Sequence, residues 1–69
     1  MNKKYTIGID VGGSSTKSAI YDLQGNIVGE GKASYQPIEP HPGVAEYDAV
    51  EILDAVDQSL KIAVTKAAI

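Results

Sequence analysis

The residues best suited to chemistry lie together near the amino terminus, in Gly8-Ile9-Asp10-Val11-Gly12-Gly13-Ser14-Ser15-Thr16-Lys17. A carboxylate at the end of a strand is followed by a turn whose glycines let backbone N–H groups approach an anion. Hydroxyls at Ser14, Ser15 and Thr16 and the ammonium of Lys17 stand behind it. Such a set suits a nucleotide polyphosphate and its metal. Asp10 would hold Mg²⁺ directly or through water, and Lys17, at the far end of the hairpin, would offset phosphate charge. The bland alternative is a Gly/Ser hairpin turn in which Asp10 accepts turn amides, and spacing alone does not separate the two. The Walker pattern Gly-x-x-x-x-Gly-Lys-Ser/Thr is absent. So is the dinucleotide pattern Gly-x-Gly-x-x-Gly, and a strand rather than a helix follows the turn.

Other residues carry weaker signals. His41 sits between two prolines with no carboxylate or nucleophile beside it, which reads as an exposed loop side chain rather than a base. Glu46 and Asp48 could form a carboxylate pair, but Asp48 is better used as a helix cap. Tyr5, Tyr21, Tyr35 and Tyr47 are expected to be packing residues.

The elements that must hold the Asp10 segment follow from hydrophobic spacing. Tyr5, Ile7, Ile9 and Val11 alternate with Thr6, Gly8 and Asp10, the period-two sign of a strand. Gly12 to Thr16 form the turn, Lys17 to Tyr21 a second strand and Ile27 to Tyr35 a third. Asp22 to Asn26 punctuate the last two into an antiparallel hairpin. One three-stranded meander is expected. Gly29 and Gly31 inside the third strand point to a bulge, a close backbone approach or an edge position.

Gln36 to Glu46, with Pro37, Pro40, Pro42 and Gly43, is expected to be neither helix nor sheet but a crossing loop. Asp48 then caps a helix, and Glu51 three residues on completes a capping box. Ala49, Ile52, Leu53, Val56, Leu60, Ala63, Val64 and Ala67 follow the 3.6-residue period. Ile52, Leu53, Val56 and Leu60 are expected to face the sheet, with Glu51, Asp54, Asp57 and Lys61 in solvent. Ala67-Ala68-Ile69 carries no stop signal, so the chain reads as a fragment.

Length and charge narrow the function. Sixty-nine residues hold one small domain at most. There is no Cys, and a single His cannot build a zinc site. Six basic against nine acidic residues give a net charge of −3 without a basic run, which argues against a nucleic-acid partner. No apolar run approaches the roughly 18 residues that span a bilayer, so no membrane partner is expected and the chain reads as cytoplasmic.

The loop resembles the first phosphate-binding hairpin of the actin, hexokinase and Hsp70-type ATPase superfamily, Asp-x-Gly-x-Ser/Thr-Ser/Thr-x-Lys/Arg, with Asp10, Gly12, Ser14, Ser15 and Lys17 in register. Pro40-His41-Pro42-Gly43-Val44-Ala45-Glu46-Tyr47-Asp48 is similar to the Pro-Gly-Trp-x-Glu-x-Asp segment of the FGGY carbohydrate kinases, the group with glycerol kinase and xylulose kinase. The resemblance implies an α/β, ribonuclease-H-like (actin-like ATPase) fragment, with residues 1–69 as the amino-terminal part of the first such domain of a longer kinase. It implies ATP and Mg²⁺ as cofactors and a small sugar or polyol as substrate, with a xylulose-kinase-like activity, and allows a homodimer of the complete protein. Carried over by position, Asp10 would act at the metal and γ-phosphate, and Gly12, Gly13, Ser14, Ser15 and Lys17 would bind the nucleotide.

Gly13 stands where most FGGY kinases have Thr, Val44 where they have Trp, Ala49 where Pro is usual, and Ile52-Leu53 where an aromatic pair often lies. Gly12-Gly13 is closer to the ROK sugar kinases and BadF-type ATPases of the same superfamily, which are the alternative. A ribonuclease-H-like nuclease would also place a metal-binding Asp on the first strand, but calls for basic surface. A non-catalytic module is the remaining reading. The general base and the sugar-reading residues of an FGGY kinase would fall beyond Ile69, so the isolated chain is expected to be inactive.

Overall fold

The computed structural model describes residues 4–69, with the side chains of residues 39–41, 44 and 45 excepted. The expectation for the His41 side chain therefore lies outside the described residues. Strands β1 (Thr6–Val11), β2 (Ser15–Tyr21) and β3 (Ile27–Ser34) form one antiparallel sheet in the order β1-β2-β3. The expected meander is borne out, but β2 begins at Ser15 rather than Lys17. Val11 pairs with Thr16, and Ser15 and Thr16 pair with Ser34 and Ala33, so the ladder reaches closer to the glycines than the polar composition suggested. The β2–β3 connection is closed by the Asp22 carboxylate. Its Oδ1 accepts from the Gln24 and Asn26 N–H groups at 2.9 Å each, and Gly25 turns the chain at φ 84°. A register shift after Ile20, where Tyr21 meets Ile27 and Ile20 meets Gly29, puts a bulge at Val28.

Residues 36–46 depart from expectation. Strands β4 (Ile38–His41) and β5 (Val44–Glu46) make a separate antiparallel hairpin, pairing Ile38 with Glu46 and His41 with Val44. Prolines do not forbid this, because each strand of a two-stranded ladder is an edge and half of its N–H groups face away from the partner. Pro42-Gly43 supplies the turn itself. Proline's fixed φ suits the first central position, and Gly43 at φ 81° takes the second, as a type II turn requires.

Helix α1 (Ala49–Ala67) starts as expected: the Asp48 side chain accepts from the Val50 N–H at 2.9 Å. The capping box does not close. Glu51 Oε1 instead accepts from the Gln36 N–H at 3.2 Å and ties the helix start to the exit of β3. The docked face also differs. Leu53 is 66% exposed, and the buried positions are Ala55, Ser59 and Ala63, flanked by half-buried Ile52, Val56 and Leu60. The cause is a stripe of small residues on the helix meeting glycines on the sheet. A Cβ built on Gly31 would lie 2.0 Å from the Ser59 carbonyl oxygen, and one on Gly29 would lie 2.3 Å from that of Ala63. Only glycine at both positions lets helix and strand backbones touch, and at that separation the larger side chains are displaced to the flanks. The expected solvent face is borne out: Glu51, Asp54, Asp57 and Lys61 are exposed, and Lys61 pairs with Asp57 at 2.9 Å.

Helix α1 covers Thr16, Ser18 and Ile20 of β2 and Gly29, Gly31 and Ala33 of β3, all on one face of the sheet by alternation. Where the two layers meet, the Ser18 and Ser59 hydroxyls are 2.6 Å apart and fully buried. Ser59 gives its own proton to the Val56 carbonyl, so Ser18 is the donor between them. The same face of β1, with Ile7, Ile9 and Val11, lies outside the helix's cover and is about half exposed. The radius of gyration, 14.6 Å, exceeds the roughly 11 Å of a compact chain of this length.

Candidate functional site

The turn joining β1 to β2 is a loop in which every carbonyl is tied inward. The Ser15 oxygen accepts from the Gly12 N–H at 2.9 Å, and the Ser14 oxygen accepts from the Tyr35 N–H at 3.0 Å. The Gly12 oxygen accepts from the Tyr35 hydroxyl, and the Gly13 oxygen accepts from the Tyr47 hydroxyl at 3.0 Å. Among the described residues no hydrogen bond engages the N–H of Gly13 or of Ser14. Two adjacent backbone donors are therefore left at an exposed tip, the arrangement by which backbone amides hold an anion.

The charged groups lie beside this tip. Asp10 and Lys17 are direct cross-strand partners, so Lys17 is not at the far end of the hairpin as its sequence position suggested. Alternation puts Asp10, Ser15 and Lys17 on the sheet face opposite α1, where all three reach solvent in whole or in part. Lys17 Nζ is 3.6 Å from Glu30 Oε1, an acidic neighbour on β3, with both side chains about half exposed. Solvent screening keeps that pair weak and exchangeable.

Two expected contributors play other parts. Thr16 belongs to β2, faces α1 and is fully buried, with no partner for its Oγ1 among the described residues, so its hydroxyl is not presented with those of Ser14 and Ser15. The Gly12 N–H is consumed by the Ser15 carbonyl, and a Cβ at Gly12 would sit 3.3 Å from that oxygen. Gly12 therefore shapes the turn and offers no amide. Gly13 is under no such constraint: a Cβ there would meet the Tyr47 hydroxyl at an ordinary 3.8 Å.

Magnesium is compatible with this donor set. Among the described residues no three His, Cys, Asp or Glu side chains converge, and Asp10 is the carboxylate beside the tip. Magnesium is commonly held by one or two carboxylates while water and phosphate oxygens complete its octahedron.

Tyr35 and Tyr47 were not expected to touch the loop. Tyr35 is 4% exposed and packs with Ala33, Ala55 and Ile52. Tyr47 is 46% exposed and meets Tyr35 edge to face, with ring centroids 6.2 Å apart at 78°. The available signal was the polar tip of each ring, at the two ends of the proline-rich segment.

Comparison with known proteins places the chain in a family. The family model for the amino-terminal domain of the FGGY family of carbohydrate kinases matches residues 5–69. The chain is 45% identical to the glycerol kinase of Ligilactobacillus salivarius (strain UCC118) over 56 residues, 81% of this chain and 11% of that one. It is 54% identical to the uncharacterized sugar kinase YgcE of Escherichia coli (strain K12) over 48 residues, 68% of this chain and 10% of that one. The glycerol kinase of Shewanella piezotolerans (strain WP3 / JCM 13877) is 35% identical over 67 residues, covering 97% of this chain and 14% of that one. The chain thus spans 10–14% of the length of these three relatives. The match decides between the two resemblances that Gly12-Gly13 and the proline segment had left open: the chain belongs to the FGGY family of carbohydrate kinases, in the part of its amino-terminal domain matched by residues 5–69.

Proposed function

We propose that this chain is the first part of the ribonuclease-H-like, actin-like ATPase domain of a longer kinase, which transfers the γ-phosphoryl group of ATP to a hydroxyl of a sugar or polyol. The observation that carries the reading is the hairpin tip, where unengaged Gly13 and Ser14 N–H groups stand beside Asp10 and Lys17. In the transfer, the bond from the γ-phosphorus to its bridging oxygen breaks as the acceptor oxygen bonds to phosphorus. The acceptor proton leaves to a base outside these 69 residues. Bound Mg²⁺ would neutralise charge on the phosphate oxygens. Asp10 would hold the metal, the two amides and the Ser14 and Ser15 hydroxyls would orient the phosphate oxygens, and Lys17 would add a positive charge. Positioning and electrostatics supply most of phosphoryl-transfer catalysis, which is why a single carboxylate and a few donors suffice on this side of a cleft.

The half-exposed Ile7, Ile9 and Val11 on β1 and the large radius of gyration support a longer protein whose remaining segments cover that face. No helix among the described residues is long and apolar enough to cross a membrane, and we place the kinase in the cytoplasm, where ATP is abundant. Glycerol, named for two of the relatives, and xylulose are the first acceptors to assay. The test is ADP release by the purified complete protein with MgATP and a panel of sugars and polyols. ADP release dependent on one acceptor is expected; a folded protein that releases none with any acceptor overturns the reading. The isolated 69-residue chain should release none.

A further inference from the structure

We propose that the hydroxyls of Tyr35 and Tyr47 are positioning groups that aim the amides of Gly13 and Ser14 at a nucleotide's phosphates, an inference that rests on the kinase reading above. A peptide group is a plane with its C=O and N–H pointing in opposite directions. The Gly12 carbonyl belongs to the same plane as the Gly13 N–H, and the Gly13 carbonyl to the same plane as the Ser14 N–H. The Tyr35 hydroxyl holds the first oxygen and the Tyr47 hydroxyl holds the second at 3.0 Å. Each hydroxyl that draws a carbonyl inward therefore turns the following N–H outward.

Glycine makes the clamp necessary. Glycine has access to more backbone conformations than any other residue, so without outside bonds the peptide planes around Gly12 and Gly13 would sample several orientations. Tyr35 grips the loop twice, since its own N–H donates to the Ser14 oxygen at 3.0 Å while its hydroxyl reaches Gly12. Its ring is anchored in the core against Ala33 and Ala55. Tyr47 precedes the cap residue Asp48, so its position is tied to the start of α1. The edge-to-face contact of the rings, 6.2 Å between centroids, braces one against the other. The proline-rich segment between the two tyrosines thereby gains a part in the site: it returns the chain to the tip beside which β3 ends.

The test uses the complete protein with Tyr35→Phe, Tyr47→Phe and the double substitution, each of which keeps the ring and removes only the hydroxyl. MgADP binding is measured by titration calorimetry, and the amide signals of Gly13 and Ser14 are followed by NMR without nucleotide. Each single variant is expected to bind MgADP about three- to tenfold more weakly, the worth of one hydrogen bond, and to show altered Gly13 or Ser14 amide signals. A purely structural tyrosine would lower the melting temperature and leave both readouts unchanged at 25 °C. Should Tyr35→Phe fail to fold, Tyr47→Phe, at an exposed ring, still decides. Wild-type affinity in the folded variants overturns this inference alone, whereas no MgADP binding by the wild-type protein overturns the kinase reading and this inference with it.

Discussion

The junction between β3 and α1 and the tip between β1 and β2 are both built from glycine and serine, yet they are held in opposite ways. At the junction, Gly29 and Gly31 are small so that two backbones can touch, and the buried Ser18 hydroxyl donates to that of Ser59, which donates in turn to the Val56 carbonyl. At the tip, Gly12 shapes the turn, Gly13 leaves room for an outside group, and the surrounding bonds all go to carbonyls, leaving the Gly13 and Ser14 amides without a partner among the described residues. Closing a polar set on itself produces stability. Closing only its acceptors produces a site. Substitutions at the junction should therefore change stability with little effect on nucleotide affinity, and substitutions at the tip the reverse.

The largest break in that comparison is Gly31→Ala. Its Cβ would meet the Ser59 carbonyl at 2.0 Å, backbone that cannot rotate away, so the complete protein should lose about 3 kcal/mol or more in denaturant unfolding. Unchanged stability would mean that the helix does not sit on the strand this closely. Ser59→Ala comes next. It leaves the buried Ser18 hydroxyl without its acceptor at a cost of about 1–3 kcal/mol, and adding Ser18→Ala should return part of that loss, because no orphaned donor then remains. In both cases the MgADP affinity of the folded fraction should stay at the wild-type value.

Smaller effects sharpen the contrast at the exposed end. The N–H groups that Asp22 accepts, Asn26 first, hold its carboxyl below the ordinary value of 3.8. Since the folded pKa is depressed, the contribution to hairpin stability is complete above about pH 4 and is lost as pH falls through the lower, folded value. Amide protection at Gln24 and Asn26 should fall in that range and become insensitive to pH in Asp22→Ala. Smallest of all is Glu30→Gln, which frees Lys17 from a half-exposed ion pair worth at most about 1 kcal/mol. It should lower the KM for ATP by about twofold or less, with kcat unchanged.

Much of this organisation was legible in the residues. The alternation of Tyr5 to Val11, the turn residues at 12–16 and 22–26 and the 3.6-residue period after Asp48 pointed to three strands and a helix, and the Asp10 to Lys17 spacing pointed to the tip. The docked face of α1 was not legible. Ala55, Ser59 and Ala63 carry almost no hydrophobic signal, and their burial follows from Gly29 and Gly31 some thirty residues earlier in the chain. The β4–β5 hairpin was hidden because proline argues against sheet in general but not against two-residue turns between edge strands. The partners of Tyr35 and Tyr47 were hidden for a different reason: a hydroxyl bonding a backbone carbonyl 23 or 34 residues away leaves no pattern in side-chain types. The pairing of Asp10 with Lys17 depended on where the turn closed, and a two-residue difference in the start of β2 moved Lys17 from the far end of the hairpin to the position opposite Asp10.

The most direct test of the central claim, that this tip and Asp10 serve phosphoryl transfer, is steady-state kinetics of the complete protein with Asp10→Asn and Lys17→Met at varied ATP and Mg²⁺. Asp10→Asn keeps the shape of the side chain and removes the charge that the proposal puts at the transferring group, where a single electrostatic group is commonly worth about 10²-fold or more in rate. Its kcat should fall by at least about that factor while its melting temperature stays near the wild-type value, because Asp10 is exposed. Lys17→Met should act mainly on the KM for ATP, with a smaller change in kcat. A wild-type kcat in the Asp10→Asn enzyme would contradict the claim and leave the loop as a structural turn.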